Sequence, residues 1–360
     1  MSVSAWATSD ILMLGNSYTS FNQLHSVVTQ VFQAGGEEPE VYALTSGGLT
    51  LADHAIRAQD KGSSWHEMLV SDNKQREWVI LQDQSQIPSF PQHNSDWQAS
   101  YNGALTLNDI IIDAQANTLF FLTWGRLHGD ATNPDTNPDF LTMQENLTEG
   151  YFAYQAATST ETRTTWIAPV GFAFADIYFD GVADKKDPTD PGTLFAQLYN
   201  ADGSHPSAYG TYLAATVFYA TITGKTPIGL ALPKQIEKKI GHRLQVAADT
   251  AVFGSTDQIA YIWEKTTTTK STNDTGYDTD TNTKYDTDTD TTLPTGDTAI
   301  DSDQPVDACG CANIKTPANL LFPLAFLSIS AMRRRETLKS SKVPTLYNCG
   351  YRSINEPYLE

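Results

Sequence analysis

The sequence predicts an α/β protein whose parallel sheet carries helices on both faces, followed by a C-terminal third of different character. Two observations predict the sheet protein: short apolar runs alternate with stretches of helical periodicity through residue 265, and the longer connections are rich in Pro, Asn and Asp. A third marks its end, because from Thr266 the chain turns abruptly to Thr, Asp, Asn, Ser and Gly. The first strand is expected over residues 10–14, where Ile11-Leu12-Met13-Leu14 is apolar on both faces. Helical spacing of apolar residues follows over 21–34. Further strands are expected over 40–44, 78–81, 118–123 and 165–168, with helices over 96–115, 139–158 and 207–223. Strand-helix alternation of this kind requires crossovers and hence a parallel order. The loops 129–138 and 183–192 are long enough to wall a cleft. A basic stretch over 233–243, with Lys234, Lys238 and Lys239, reads as the solvated face of a helix.

The chain has 360 residues and a net charge of −19, enough for one large domain with appendages and the wrong sign for a nucleic-acid partner. Part of that charge lies outside the domain, since residues 266–307 hold ten Asp and two Lys. The three cysteines, Cys309, Cys311 and Cys349, all fall beyond it, so the core is expected to hold no disulfide. Cys309-Gly310-Cys311 lacks further ligands, and the seven histidines do not cluster at ligand spacing, so neither metal nor cofactor is implied. His54, His66 and His128 each read as hydrogen-bonded or surface residues.

Two short motifs carry the chemistry. Gly15-Asn16-Ser17 directly follows the first strand and precedes a helix, which places the Ser17 hydroxyl at the carboxyl end of a parallel strand, where open α/β sheets put their ligand crevice. Asp202-Gly203-Ser204-His205 precedes the apolar helix at 207–223. A serine hydroxyl needs a base within hydrogen-bond reach, and that base must be held in one tautomer. His205 supplies the base, and Asp202, three residues away on the same loop, can fold back on its other ring nitrogen. Each motif alone reads equally as turn and cap chemistry; their joint occurrence points to a nucleophile, base and orienting acid.

In these blocks the chain resembles the SGNH (GDSL-like) hydrolases, esterases with catalytic residues in four separated segments. Gly15 to Thr19 resembles the first block and Asp202 to Ser207 the last. The resemblance implies a three-layer α/β/α flavodoxin-like sandwich with a five-stranded parallel sheet, and an ester hydrolase in which Ser17, His205 and Asp202 are catalytic. Ser46-Gly47-Gly48-Leu49-Thr50 fits the second block, with the Gly48 N–H, or that of Gly47, joining the Ser17 N–H as an oxyanion donor. In the third block the family's Gly-x-Asn-Asp is replaced by Gln82-Asp83-Gln84-Ser85. A glutamine amide can donate in place of the asparagine; Gln82, at the strand end, is the expected donor and Gln84 the fallback. By analogy with the sugar-acetyl-esterase-like branches, the substrate is a small-molecule or polysaccharide ester with a short acyl group. The alternatives are hydrolysis of longer acyl esters, as by a lipase or thioesterase, and a non-catalytic surface protein that binds carbohydrate.

The organisation expected is a hydrolase domain over 1–265, a disordered Thr/Asp-rich linker over 266–308, a Cys motif, transmembrane helix and Arg cluster over 309–335, and an unassigned tail over 336–360. The apolar run 317–332 followed by Arg333-Arg334-Arg335 resembles bacterial C-terminal sorting signals, including the cysteine-containing myxobacterial type. With Ala5-Trp6-Ala7 in the small-x-small form of a leader cleavage site, it leads to the expectation of an exported, envelope-anchored protein.

Overall fold

The computed structural model describes residues 10–71 and 76–264. Five strands, β1 (Asp10–Gly15), β2 (Val41–Thr45), β3 (Arg76–Leu81), β4 (Asn117–Phe121) and β5 (Trp166–Ala168), form one sheet in the order β2-β1-β3-β4-β5. All four pairings are parallel, and Leu12 stands between Tyr42 and Val79. Ile11 to Leu14 and Trp78 to Leu81 are buried on both faces, which explains why those strands read as continuous apolar runs rather than alternating ones.

The helices that position the site are α1 (Ser17–Ser20), α2 (Leu24–Ala34), α3 (Leu51–Gln59), α4 (Ser95–Asp113), α5 (Phe140–Thr158), α6 (Val170–Ala183), α7 (Ala208–Thr223) and α8 (Lys238–Phe253). On one face α3 packs on α4 and α4 on α5; on the other α7 packs between α2, α6 and α8. The expected three-layer sandwich is therefore present, with the strand order moving outward from β1 in both directions. Every residue from Gly210 to Thr221 in α7 is buried, as a helix enclosed on all sides by sheet and helices must be. Caps set the helix starts. The Ser207 hydroxyl accepts from the N–H groups of Tyr209 and Gly210, the Asp139 carboxylate from Thr142, and Thr50 and Asp53 form a reciprocal capping box on α3.

Three expectations change. The helix predicted over 21–34 starts at Leu24, because Asn22 (φ 51°) and Gln23 (φ 54°) take left-handed backbone conformations that interrupt it. The basic segment at 233–243 becomes helical only from Lys238 and runs on to Phe253. The transmembrane helix is corrected: among the described residues no helix is long and apolar enough to cross a membrane. The two longest, α4 and α5, carry acidic residues and pack by one side on the sheet layer. The run 317–332 to which that helix was assigned, the linker, the cysteines and Ala5-Trp6-Ala7 all lie outside the described residues.

Candidate active site

The carboxyl end of β1 and the loop before α7 meet. Ser17 Oγ lies 2.8 Å from Nε2 of His205, and Nδ1 of the same ring lies 2.6 Å from Oδ2 of Asp202. The other carboxylate oxygen of Asp202 accepts the backbone N–H groups of Ser204 and His205, both at 2.9 Å, so the Asp-x-x-His loop folds its acid onto its own base. Burial pushes the Asp202 carboxyl up, but the hydrogen bonds from Ser204 N–H, the His205 ring and His205 N–H outweigh it and hold it below the usual carboxylate range. It is thus ionised at neutral pH and fixes the proton of His205 on Nδ1, leaving Nε2 as the acceptor for the Ser17 hydroxyl.

Aromatic rings frame the imidazole. Phe21 stacks on it at 4.2 Å between ring centroids and 20° between planes, and Tyr18 meets it edge-on at 5.6 Å. Tyr18 is itself stacked on Trp124, at 4.7 Å and 3°, and its hydroxyl pairs with Ser204 Oγ, while the Trp124 indole donates to the Ser204 carbonyl. These contacts hold the His205 loop from two sides. Sequence reasoning missed them, because an aromatic residue next to a buried strand reads as core.

Asn16 organises the turn. Its side-chain oxygen caps Tyr18 N–H, and its amide nitrogen donates to the carbonyls of Leu49 (3.0 Å) and Asp83 (3.2 Å), tying the turn to the loops after β2 and β3. Behind it Gly15 faces Thr19 and the Gln82 amide so closely that a Cβ at residue 15 would stand 2.6 Å from Gln82 Oε1. Below, His54 is buried and donates from Nε2 to the Gly15 carbonyl at 3.1 Å, while the Trp65 indole donates to its Nδ1 at 2.7 Å. Both ring nitrogens are thus defined in the neutral form, and burial lowers the His54 pKa to about 4.

Among the described residues no protein acceptor takes the N–H groups of Ser17, Gly47 or Gly48; Gly48, with φ +69°, sits exposed on the loop after β2. The two glutamines expected as third donor sit differently. Gln82 is fully buried: its carbonyl oxygen accepts from Asn16 N–H and Thr19 Oγ1, each at 2.9 Å, and its nitrogen donates to Asn16 Oδ1 and to the Asp83 carbonyl. Each amide atom faces partners of only one kind, so the orientation is determined and both N–H groups are engaged behind the turn. Gln84 stands three residues beyond the strand. Its Oε1 accepts Gln86 N–H at 2.7 Å and its Nε2 donates one hydrogen to Gln86 Oε1 at 3.1 Å. Together with Thr50, Gln86 and Phe90 it lines a cavity of about 750 Å³, within the roughly 300–1,000 Å³ of small-ligand sites. Thr50 and Gln84 directly follow Leu49 and Asp83, whose carbonyls accept the Asn16 amide, but Ser17, Asp202 and His205 are not among the residues that line this cavity. Asp53 and Asp96 are among its lining residues, and no Lys or Arg is.

Asp83, between these glutamines, is buried, and among the described residues no cationic side chain pairs with it. Its carboxylate accepts Leu51 N–H, Gln84 N–H, Ser100 Oγ and the Tyr154 hydroxyl, at 2.8–3.0 Å. Burial raises its pKa to about 6 although all four donors pull the other way. Among the described residues no three His, Cys, Asp or Glu side chains gather as a metal site needs.

Fold and site together define an α/β sandwich with a serine, a histidine and an aspartate in hydrogen-bonded sequence at the carboxyl edge of its sheet. No protein-family model matches the sequence, and no curated protein matches it. Among solved structures the chain is similar to a DUF4886 family protein from Bacteroides uniformis, with TM-score 0.54 and 16% identity over 71% of this chain and 99% of that one. It is also similar to a proposed SGNH hydrolase from Slackia heliotrinireducens, with TM-score 0.44 and 24% identity over 59% of this chain and 97% of that one. A third similarity is to the acetyl xylan esterase AlAXEase, with TM-score 0.41 and 10% identity over 59% of this chain and 99% of that one. The first of these three establishes a shared fold.

Proposed function

We propose that this protein is a serine carboxylic-ester hydrolase that removes acetyl or other short acyl groups from a carbohydrate. The observation that carries the reading is the continuous relay Ser17 Oγ, His205 Nε2, His205 Nδ1, Asp202 Oδ2. In the reaction Ser17 Oγ attacks the ester carbonyl while its proton passes to His205 Nε2. Asp202 keeps the imidazole oriented and balances the imidazolium charge. The carbonyl oxygen, now an oxyanion, is met by the unengaged N–H groups of Ser17 and Gly48 and by the Gln84 amide. His205 returns the proton to the departing alkoxide, and a water molecule, deprotonated by the same imidazole, releases the acid from Ser17.

The short-acyl part of the reading follows the third-block resemblance, where Gln82-Asp83-Gln84-Ser85 stands in place of Gly-x-Asn-Asp. Turnover of p-nitrophenyl acetate, butyrate and decanoate by the full chain tests this: kcat/KM is expected to fall as the chain lengthens, and preference for decanoate would overturn the short-acyl reading. The donor assignment has its own test. Gln84→Ala is expected to lower kcat about 100-fold with little change in KM. Gln82→Ala should act mainly on stability, read as a lower urea midpoint, because it unpairs Asn16 N–H and Thr19 Oγ1.

A further inference from the structure

Immediately after the nucleophile the chain does something that regular secondary structure does not require. Asn22 and Gln23 are consecutive non-glycine residues with φ of 51° and 54°. Left-handed backbone at such residues costs roughly 1–2 kcal/mol each, somewhat less for asparagine, and persists only where surrounding contacts compensate. The compensating contacts are long-range. The Asn22 amide nitrogen donates to the carbonyl of Pro206 and to Thr211 Oγ1, both at 2.9 Å. Pro206 directly follows His205, and Thr211 lies in the first turn of α7. The same backbone turn places the Phe21 ring parallel to the imidazole at 4.2 Å.

We infer that Phe21 and Asn22 are positioning residues for the general base: Asn22 ties the His205 loop to the nucleophile segment, and the Phe21 ring face steadies the imidazolium as Ser17 attacks. The inference rests on the ester-hydrolase reading for its catalytic part. As the bond from Ser17 Oγ to the carbonyl carbon forms, the hydroxyl proton moves to Nε2 and the ring becomes cationic. An aromatic face attracts a cation through its quadrupole, and attracts the neutral ring less. The contact therefore strengthens between ground state and transition state, which is the condition for raising kcat rather than tightening substrate. Tyr18 meets the ring at 69° rather than stacking on it, and Asp202 and Ser17 occupy its nitrogens, so the ring stacked parallel to the imidazole is that of Phe21.

Three variants of the full chain test this on p-nitrophenyl acetate: Phe21→Leu, Phe21→Trp and Asn22→Gly. Phe21→Leu is expected to lower kcat about tenfold with KM within twofold, and Phe21→Trp to keep kcat within twofold of the parent. Asn22→Gly relieves the left-handed strain while removing the tie, so kcat should fall about tenfold with an unchanged or higher melting temperature. The ring protons of His205, read by NMR on histidine-labelled protein, should lie upfield in the parent and move downfield in Phe21→Leu. Equal turnover by Phe21→Leu and the parent, or equal losses in the leucine and tryptophan variants, overturns the role of the ring face. Asn22→Gly losing turnover only in step with stability overturns the tie. If the parent hydrolyses no ester, the catalytic reading fails by itself, and the His205 ring-proton shift alone decides whether Phe21 holds the imidazole.

Discussion

Ser17→Ala is expected to lower kcat/KM on p-nitrophenyl acetate by about 10⁴- to 10⁶-fold while leaving the fold intact. The loss is large because the hydroxyl is the attacking atom. Stability is spared because, among the described residues, the side chain hydrogen-bonds only to His205, on a partly exposed face of the site. His205→Ala is expected to cost a similar factor, and the double variant scarcely more than either, since nucleophile and base act as a unit. A fluorophosphonate probe offers a check independent of turnover: one label per chain in the parent, none in Ser17→Ala. Undiminished hydrolysis by Ser17→Ala would remove this serine from the mechanism.

The second large effect falls on stability. Asp83→Ala strands four donors, the N–H groups of Leu51 and Gln84 and the hydroxyls of Ser100 and Tyr154, in the interior. The two backbone groups and Tyr154 have no other place to turn, and a loss of about 3–5 kcal/mol follows, measurable by urea unfolding at pH 7. Because Leu51 opens α3 behind Gly48, and Gln84 lines the cavity, turnover should fall with it. Asp83→Asn keeps the shape and one acceptor and is expected to be far milder.

The pH dependence of that variant separates two buried groups of opposite sign. Asp83 has a folded pKa near 6 against an ordinary 3.8, so the native state holds its proton more tightly. Its charge therefore penalises the native state increasingly as pH rises through that window, by about 3 kcal/mol at most. His54 is the reverse: lowered to about 4 from 6.5, it binds a proton in the unfolded state first, and the stability it contributes is lost as pH falls through 6.5 toward 4, by a similar amount. Between about pH 4 and 6 the two largely cancel. Asp83→Asn should expose the His54 limb, so that its stability falls more steeply than the parent's on acidification; parallel curves for the two proteins would show that Asp83 does not titrate in this range.

What the sequence disclosed, and what it concealed, follows the range of the interactions. The strands at Ile11 to Leu14 and Trp78 to Leu81 are legible because burial on both faces writes an unbroken apolar run. Ser17, Asp202 and His205 are legible because each sits in a short motif whose geometry is local: a strand-to-helix turn, and a carboxylate three residues before its imidazole. The choice between Gln82 and Gln84 was not, since two residues at a strand exit differ only in which side of the turn they reach. Helix α6 was hidden because Val170 to Ala175 is buried throughout and shows no polar face to give it a period. Helix α3 did leave a signal, the Thr50-x-x-Asp53 capping box. Nothing local marks Asp83 as the common anchor of Leu51, Ser100 and Tyr154, or Asn22 as left-handed.

The serine and the histidine it needs are separated by 188 positions, with four of the five strands laid down between them. During synthesis Ser17 therefore emerges well before His205, the residue proposed as its base. Throughout that interval the hydroxyl has no proton acceptor and is chemically inert toward esters. On the ester-hydrolase reading, activity waits on a contact across 188 positions, so recovery of esterase turnover after dilution from urea is expected to mark its closing.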